Sequence, residues 1–295
     1  MADRSIVEEL RGPTPSFSFE FFPPKDDEGE AVLWRTIAEL ESLHPTFVSV
    51  TYGAGGTTRE RTVRITGRIA ELTSLVPVGH LTLVDQSRSE IEAVLKQYEA
   101  AGVQHVLALR GDPTGGPGAP WVPHPDGLQY AVDLVSLAHA MGSFSVGVAA
   151  FPEGHPDACD LDADARVLLA KAEAGAEFAV TQLFFRASDY FSLVERARAL
   201  GCDIPIVPGI MPILHLGQIT RMAALSGAEL PAEVLESFAP LDDEPAAIRA
   251  HGIELATGLC RELLAGGAPG LHFYTLNRSK ATREIVANLR ASGQL

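Results

Sequence analysis

Eight short apolar runs recur along the chain, at residues 16–22, 47–51, 76–83, 105–109, 145–150, 178–181, 204–208 and 270–274. Runs this short have the length of buried strands rather than helices. Most begin about 30 residues apart, the spacing of one βα unit. Between them, apolar residues return at helical intervals. Leu33, Ile37, Leu40 and Leu43 share one face, as do Ile91, Val94, Leu95 and Tyr98. Ser87 followed by Glu90 forms a capping box that starts the second of these helices, and Gly102 suits its exit. A third helix is predicted over residues 164–174, closed by Gly175. Strands alternating with helices predict an α/β chain, and eight such units predict a (β/α)8 TIM barrel. A single catalytic domain over 1–295 is expected, with 1–15 as an N-terminal extension. Two connections are long. One holds the proline- and glycine-rich stretch 113–120, and the other, 211–269, has room for at least two helices and an inserted segment.

Polar residues stand at or just past the ends of these runs: Glu20, Thr51, His80, Asp112, His155, Gln182 and Asn277. In a parallel barrel the C-terminal strand ends form the active face, so these residues are expected to converge on one pocket. Alternation puts Ser18, Glu20 and Phe22 on one side of the first strand and Phe19 and Phe21 on the other. If the Glu20 side is the interior, burial raises its pKa and makes it a candidate general acid; the alternative is a structural carboxylate paired with a buried base. Asp112 follows Arg110-Gly111 and reads equally as a functional acid or as a turn-forming residue before Pro113. Gln182 could read a heterocycle edge with its amide, or be a satisfied structural residue. His80 and His155 are individually weak signals. The nine histidines show no paired ligand spacing, so no metal is assigned. No lysine lies in a predicted strand, which weakens a Schiff-base aldolase. No GxGxxG follows the first strand, so a nicotinamide or flavin would have to bind at the barrel mouth.

The formal charge of −15 argues against nucleic acid or an anionic membrane as partner. Three cysteines without a CxxC pair suit a reducing cytoplasm. Nothing approaches the roughly 20 apolar residues of a membrane span, and residues 1–15 lack the apolar core of a signal peptide.

Taken together, the motifs resemble the methylenetetrahydrofolate reductase family. They are SFEFFPP at 18–24, FVSVTYGAGG at 47–56, HLT at 80–82, ALRGDP at 108–113, FPEGHP at 151–156, AGAEFAVTQLFF at 174–185, VPGIMPI at 207–213 and HFYTLNR at 272–278. The resemblance covers nearly the whole chain and implies a catalytic barrel that reduces 5,10-methylenetetrahydrofolate to 5-methyltetrahydrofolate with NADH or NADPH. The absence of a basic cluster for a 2′-phosphate leans toward NADH. By the same resemblance Glu20 is the acid that protonates the departing nitrogen, with Asp112 and Gln182 beside it. Gln182, Gln218 and Arg278 match substrate contacts, and Thr51 and Tyr52 lie near the nicotinamide. Positions matching flavin contacts retain His80, Arg110, Gly111, Asp112, Ala131, His155, Asp164 and Lys171. However, Phe151 stands where tyrosine is usual, Val167 where asparagine is usual, and Ala170 where a basic residue is common. Those departures imply a variant without FAD, in which NADH passes hydride directly to the folate. The alternatives are a ping-pong relay through bound FAD and, more distantly, a non-catalytic folate- or flavin-binding barrel.

Overall fold

The structure, a computed structural model, describes residues 5–52, 59–113, 119–241 and 244–295. Glycines 53, 55 and 56 of the FVSVTYGAGG motif and residues 114–118 of the proline- and glycine-rich stretch lie outside these. Strands β1 (Ser16–Phe21), β2 (Phe47–Val50), β3 (Pro77–Thr82), β4 (His105–Leu109), β5 (Ser145–Ala150) and β6 (Ala176–Thr181) pair in parallel, each with the next. The seventh barrel strand is split into β7 (Ile206–Val207) and β8 (Gly209–Ile210). Its first half pairs with β6 and its second with β9 (Gly270–Tyr274), which returns to β1 and closes the ring. The interruption is Pro208, which has no N–H for the ladder. This strand starts later than the apolar run at 204 suggests. The guanidinium of Arg198 takes up the Ile204 and Cys202 carbonyls, so pairing with β6 begins only at the Pro205 carbonyl, which accepts from the Ala179 N–H.

Among the described residues ten α-helices follow β1: α2 (Asp27–Glu41), α3 (Arg59–Leu72), α4 (Arg88–Ala100), α5 (Ala131–Ala140), α6 (Leu161–Glu173), α7 (Ala187–Ala199), α8 (Leu216–Ser226), α9 (Ala232–Phe238), α10 (Pro245–Ala265) and α11 (Lys280–Ala291). The Ser87–Glu90 capping box is present, with each side chain bonded to the other's backbone N–H. Helix α6 begins three residues before the expected 164, because the Asp160 carboxylate accepts from the Ala163 N–H and caps it there. Phe17, Phe19 and Phe21 face this helical layer and pack with Leu33, Ile37 and Leu40 of α2. Ser18 and Glu20 therefore face the interior, as alternation requires.

The inside of the barrel is filled near its base by Phe47, Val78, Leu107, Phe178, Val180 and Val207. The first helix, α1 (Ile6–Leu10), sits on that layer with Ile6 and Leu10 fully buried. Residues 1–15 thus include a plug for the bottom of the barrel. Burying two such side chains is worth about 1.5–3 kcal/mol each. The long final connection folds as α8, α9 and α10. All three contribute to a separate apolar cluster, in which Ile219 of α8, Phe238 of α9 and Ile248 of α10 meet Leu183, Met211 and Ile213. Among the described residues no helix is long and apolar enough to cross a membrane.

Candidate active site

Strand register decides what surrounds Glu20. It lies opposite Ser49 on β2 and Tyr274 on β9, and Ser18 lies opposite His272. His80 reaches the same place from β3. Three contacts converge on one carboxylate oxygen, Oε2: the Ser49 hydroxyl at 3.4 Å, His80 Nε2 at 3.4 Å and His272 Nε2 at 3.5 Å. Among the described residues no partner contacts the other oxygen, and the side chain keeps 17% of its surface exposed. Glu20 stands at the C-terminal end of β1, the end of the barrel where the loops after the strands gather.

This environment corrects the expectation of a raised Glu20 pKa. Burial is the largest single influence and does push it up. The hydrogen bond from His272, the charges of His80 and His272 and the Ser49 hydroxyl together outweigh burial, so the carboxyl is held below its usual range. His80 moves the other way. Burial pushes it down to about 4 despite the attraction of Glu20, so it is neutral at neutral pH. His272 and Ser49 escaped the sequence reading. Each sits inside an apolar run, and their only signal was a polar residue at an inward position of a strand.

A second group gathers beside the ends of β4 and β5. Gly111 has φ +85°, and a Cβ there would meet the Thr82 Cβ at 2.9 Å, so the chain turns tightly where only glycine fits. Arg110 pairs with Asp157 at 2.6 Å and stacks over Trp121, with its buried Nε unpartnered among the described residues. His155 meets the Phe151 ring edge-on at 4.8 Å and is depressed by burial and by Arg110. On α6, Asp164 is buried and pushed up by that burial, with Lys171 and the His155 N–H opposing. The Lys171 ammonium donates to the Ala149 carbonyl at 2.9 Å, and burial lowers it to about 8. Val167, one turn from both, is 46% exposed. Ala131 is buried at the start of α5.

The remaining candidates are at strand ends but make no hydrogen bond or ion pair with Glu20 among the described residues. Asp112 is exposed after β4, and Gln182 follows β6 with its amide oxygen accepting from the Leu183 N–H. Gln218, in the first turn of α8, and Arg278, after β9, are exposed; Thr51 and Tyr52 follow β2, and Tyr52 is buried. Asn277 proves structural. Its amide bonds both the Phe22 N–H and the Phe22 carbonyl, stitching the end of β1 to the end of β9. A depression of about 240 Å³ lined by Val84, Asp85, Pro120, Val122 and His124 lies off the loops after β3 and β4, and none of the ionisable cluster around Glu20 lines it. Among the described residues no group of His, Cys, Asp and Glu could hold a metal ion.

The comparisons with known proteins bear on this arrangement. The family model "Methylenetetrahydrofolate reductase" matches residues 6–290. The 5,10-methylenetetrahydrofolate reductase of Pectobacterium carotovorum is 39% identical over 95% of this chain and 92% of its own length. That of Escherichia coli K12 is 38% identical over 92% and 90%. The Arabidopsis thaliana protein named methylenetetrahydrofolate reductase (NADH) 1 is 38% identical over 96% of this chain, which spans half of the plant protein. Among solved structures, a Clostridium thermocellum protein described as binding two copies of 5-methyl-5,6,7,8-tetrahydrofolic acid superposes with a TM-score of 0.64 at 12% identity, over 97% of this chain and 98% of that one. At that identity it shares the fold.

Proposed function

The chain belongs to the methylenetetrahydrofolate reductase family, and from that premise we propose that it reduces 5,10-methylenetetrahydrofolate to 5-methyltetrahydrofolate with NADH as hydride source and Glu20 as proton source. NADH is supported by the name of the Arabidopsis thaliana relative and by a chain of net charge −15. The observation that carries the reading is a carboxylate at the inward end of β1 with Ser49, His80 and His272 gathered about one of its oxygens and part of the side chain still exposed.

The chemistry sets the requirement. The folate's five-membered ring opens by breaking the bond between its bridging carbon and one nitrogen. A hydride then adds to the carbon and a proton to the departing nitrogen, so one NADH and one proton are consumed per turnover. A positioned acid accelerates such a step by about 10²–10⁴-fold. Asp112, Gln182, Gln218 and Arg278 serve as the folate contacts in this reading, and Thr51 and Tyr52 border the nicotinamide. Replacing Glu20 by Gln keeps the shape and removes the proton. NADH consumption that depends on methylenetetrahydrofolate should fall by about a hundredfold or more, with folate affinity within a few-fold. Near-normal turnover in Glu20→Gln would refute the assignment.

For the route of the hydride, we propose direct transfer from NADH to the folate. A flavin dinucleotide needs donors for its diphosphate, and the α6 face does not fit that need. Val167 is apolar, Ala170 offers nothing, Asp164 is negative, and the Lys171 ammonium is committed to the Ala149 carbonyl. A second reading, relay through FAD, is supported by Arg110, Gly111 and His155, which gather at the same rim with a buried Arg110 nitrogen still unpartnered. The visible spectrum of the purified protein separates the two. Stoichiometric bound FAD that NADH bleaches would overturn direct transfer.

A further inference from the structure

We propose that His272 is the positioning residue that loads Glu20 with its proton, and that the Ser18 hydroxyl, by turning between His272 Nδ1 and the Leu271 carbonyl, lets the imidazole carry either one proton or two. The inference rests on the reading of Glu20 as the acid.

The His272 ring is immobilised. It is 1% exposed, stacks on Phe47 at 5.6 Å and 17°, and takes the Tyr274 ring edge-on at 5.5 Å. Its two nitrogens therefore have fixed addressees: Nδ1 faces Ser18 Oγ at 2.8 Å, and Nε2 faces Glu20 Oε2 at 3.5 Å. Ser18 Oγ also lies 3.4 Å from the Leu271 carbonyl oxygen. A hydroxyl has one proton to donate and lone pairs to accept. When the ring carries a proton on Nε2 alone, Ser18 donates to Nδ1 and the Nε2–H points at the carboxylate. When the ring carries two, Nδ1–H donates to Ser18 Oγ, whose own proton turns to the Leu271 carbonyl. Neither state strands a buried donor, which is the condition for a buried group to change charge at low cost.

The proton count then closes. With one proton on the imidazole and Glu20 ionised, the pair can take one further proton from solvent. That proton resides on the imidazole or passes from Nε2 to Glu20 Oε2, leaving His272 with its Nδ1 proton still bonded to Ser18. Glu20 gives the proton to the departing folate nitrogen, and the pair returns to one proton, now held on Nδ1, so the next proton from solvent enters at the vacated Nε2. The other ionisable groups facing the pair are His80 on β3 and Tyr274 on β9, with Ser49 contributing a hydroxyl from β2. His80, pushed down to about 4 by burial, is a poor carrier at neutral pH, whereas an imidazole given a partner for each nitrogen suits the task.

The test uses the sign of a pH shift. Turnover at saturating NADH and methylenetetrahydrofolate falls as pH rises and the pair loses its second proton. In His272→Gln the proposed proton carrier is gone, and this limb should move to lower pH by about one unit or more, with kcat at pH 8 down about tenfold and folate affinity nearly unchanged. If His272 served only to hold Glu20 ionised, its removal would raise the Glu20 pKa and move the limb to higher pH; that result, or an unmoved limb, overturns the proposal. Ser18→Ala, a small change within a strand that should still fold, is expected to move the limb in the same direction as His272→Gln, and Ser18→Thr, which restores a hydroxyl, to move it back. Should the wild-type protein fail to reduce methylenetetrahydrofolate, the reductase reading falls by itself. The pair is then judged by ¹⁵N NMR of the His272 ring at alkaline pH, where an Nε2–H tautomer in the wild type, lost in Ser18→Ala, supports the switch, and an unchanged tautomer refutes it.

Discussion

His80 offers a quantitative check on the electrostatics of the barrel interior. Its side chain is 7% exposed, and burial, partly offset by Glu20, brings its pKa to about 4 from the ordinary histidine value of about 6.5. In the unfolded chain the ring binds a proton below about 6.5, but in the folded chain only near 4. Between those limits the unfolded state binds more protons, so stability rises with pH and is lost on acidification. At about 1.4 kcal/mol per pKa unit, a displacement of about 2.5 units removes about 3 kcal/mol once the pH is well below 4, of which about 2 kcal/mol disappears between pH 7 and pH 5. Glu20, held below the usual carboxylate range, contributes in the same direction, but its loss falls at lower pH. Urea unfolding followed by circular dichroism at pH 7 and pH 5, for the wild type and His80→Gln, isolates the histidine. The variant is expected to lose about 2 kcal/mol less than the wild type over that interval, whatever its stability at pH 7. Equal losses in the two proteins would show that His80 is not buried neutral beside Glu20, and the account of the cluster would fail with it.

Two further substitutions test the frame that holds the site. Leu10→Ala should cost about 2–5 kcal/mol in the same unfolding assay, because Leu10 is buried against the barrel's basal layer; a cost below about 1 kcal/mol would show that the first helix is not an integral plug. Asn277→Ala should cost about 2 kcal/mol or more, since it leaves the Phe22 N–H and carbonyl without their partner and puts alanine at φ +55°; Asn277→Gly, free of the backbone penalty, should recover part of the loss and not all of it.

The strands were legible because a barrel strand is buried on both faces, so its apolar run stands out against any background. Seven of the eight runs match an observed strand to within two residues at either end, and His105–Leu109, Ser145–Ala150 and Gly270–Tyr274 match at both ends. The seventh was displaced by Arg198, a residue on the preceding helix whose pairing with carbonyls no local pattern announces. The apolar cluster under α8 and α9 was equally hidden, because its buried members come from three helices and from the segments after β6 and β8. Site residues at strand ends could be listed from topology alone. Which of them touch could not, and Asn277, outwardly similar to the others, turned out to bind backbone.

The fate of Glu20 shows what kind of information a strand pattern lacks. Alternation says which way a side chain points, and from that alone burial is the only influence available, which favours the protonated form. What lies beside a residue in a parallel barrel is set by register with strands distant in sequence. Here β2, β3 and β9 each bring one polar group to the same oxygen, and the balance tips to the ionised form. A carboxylate held ionised cannot donate a proton, yet the proposed reaction needs it to. The exposed 17% of the side chain reconciles the two. A folate seated over that opening excludes the remaining water and strengthens burial, the one influence that favours the acid, while leaving His272 and Ser18 in place beneath to supply the proton. On this reading Glu20 becomes an acid only when a substrate covers it, and the His272–Ser18 pair is what makes that change reversible in each turnover.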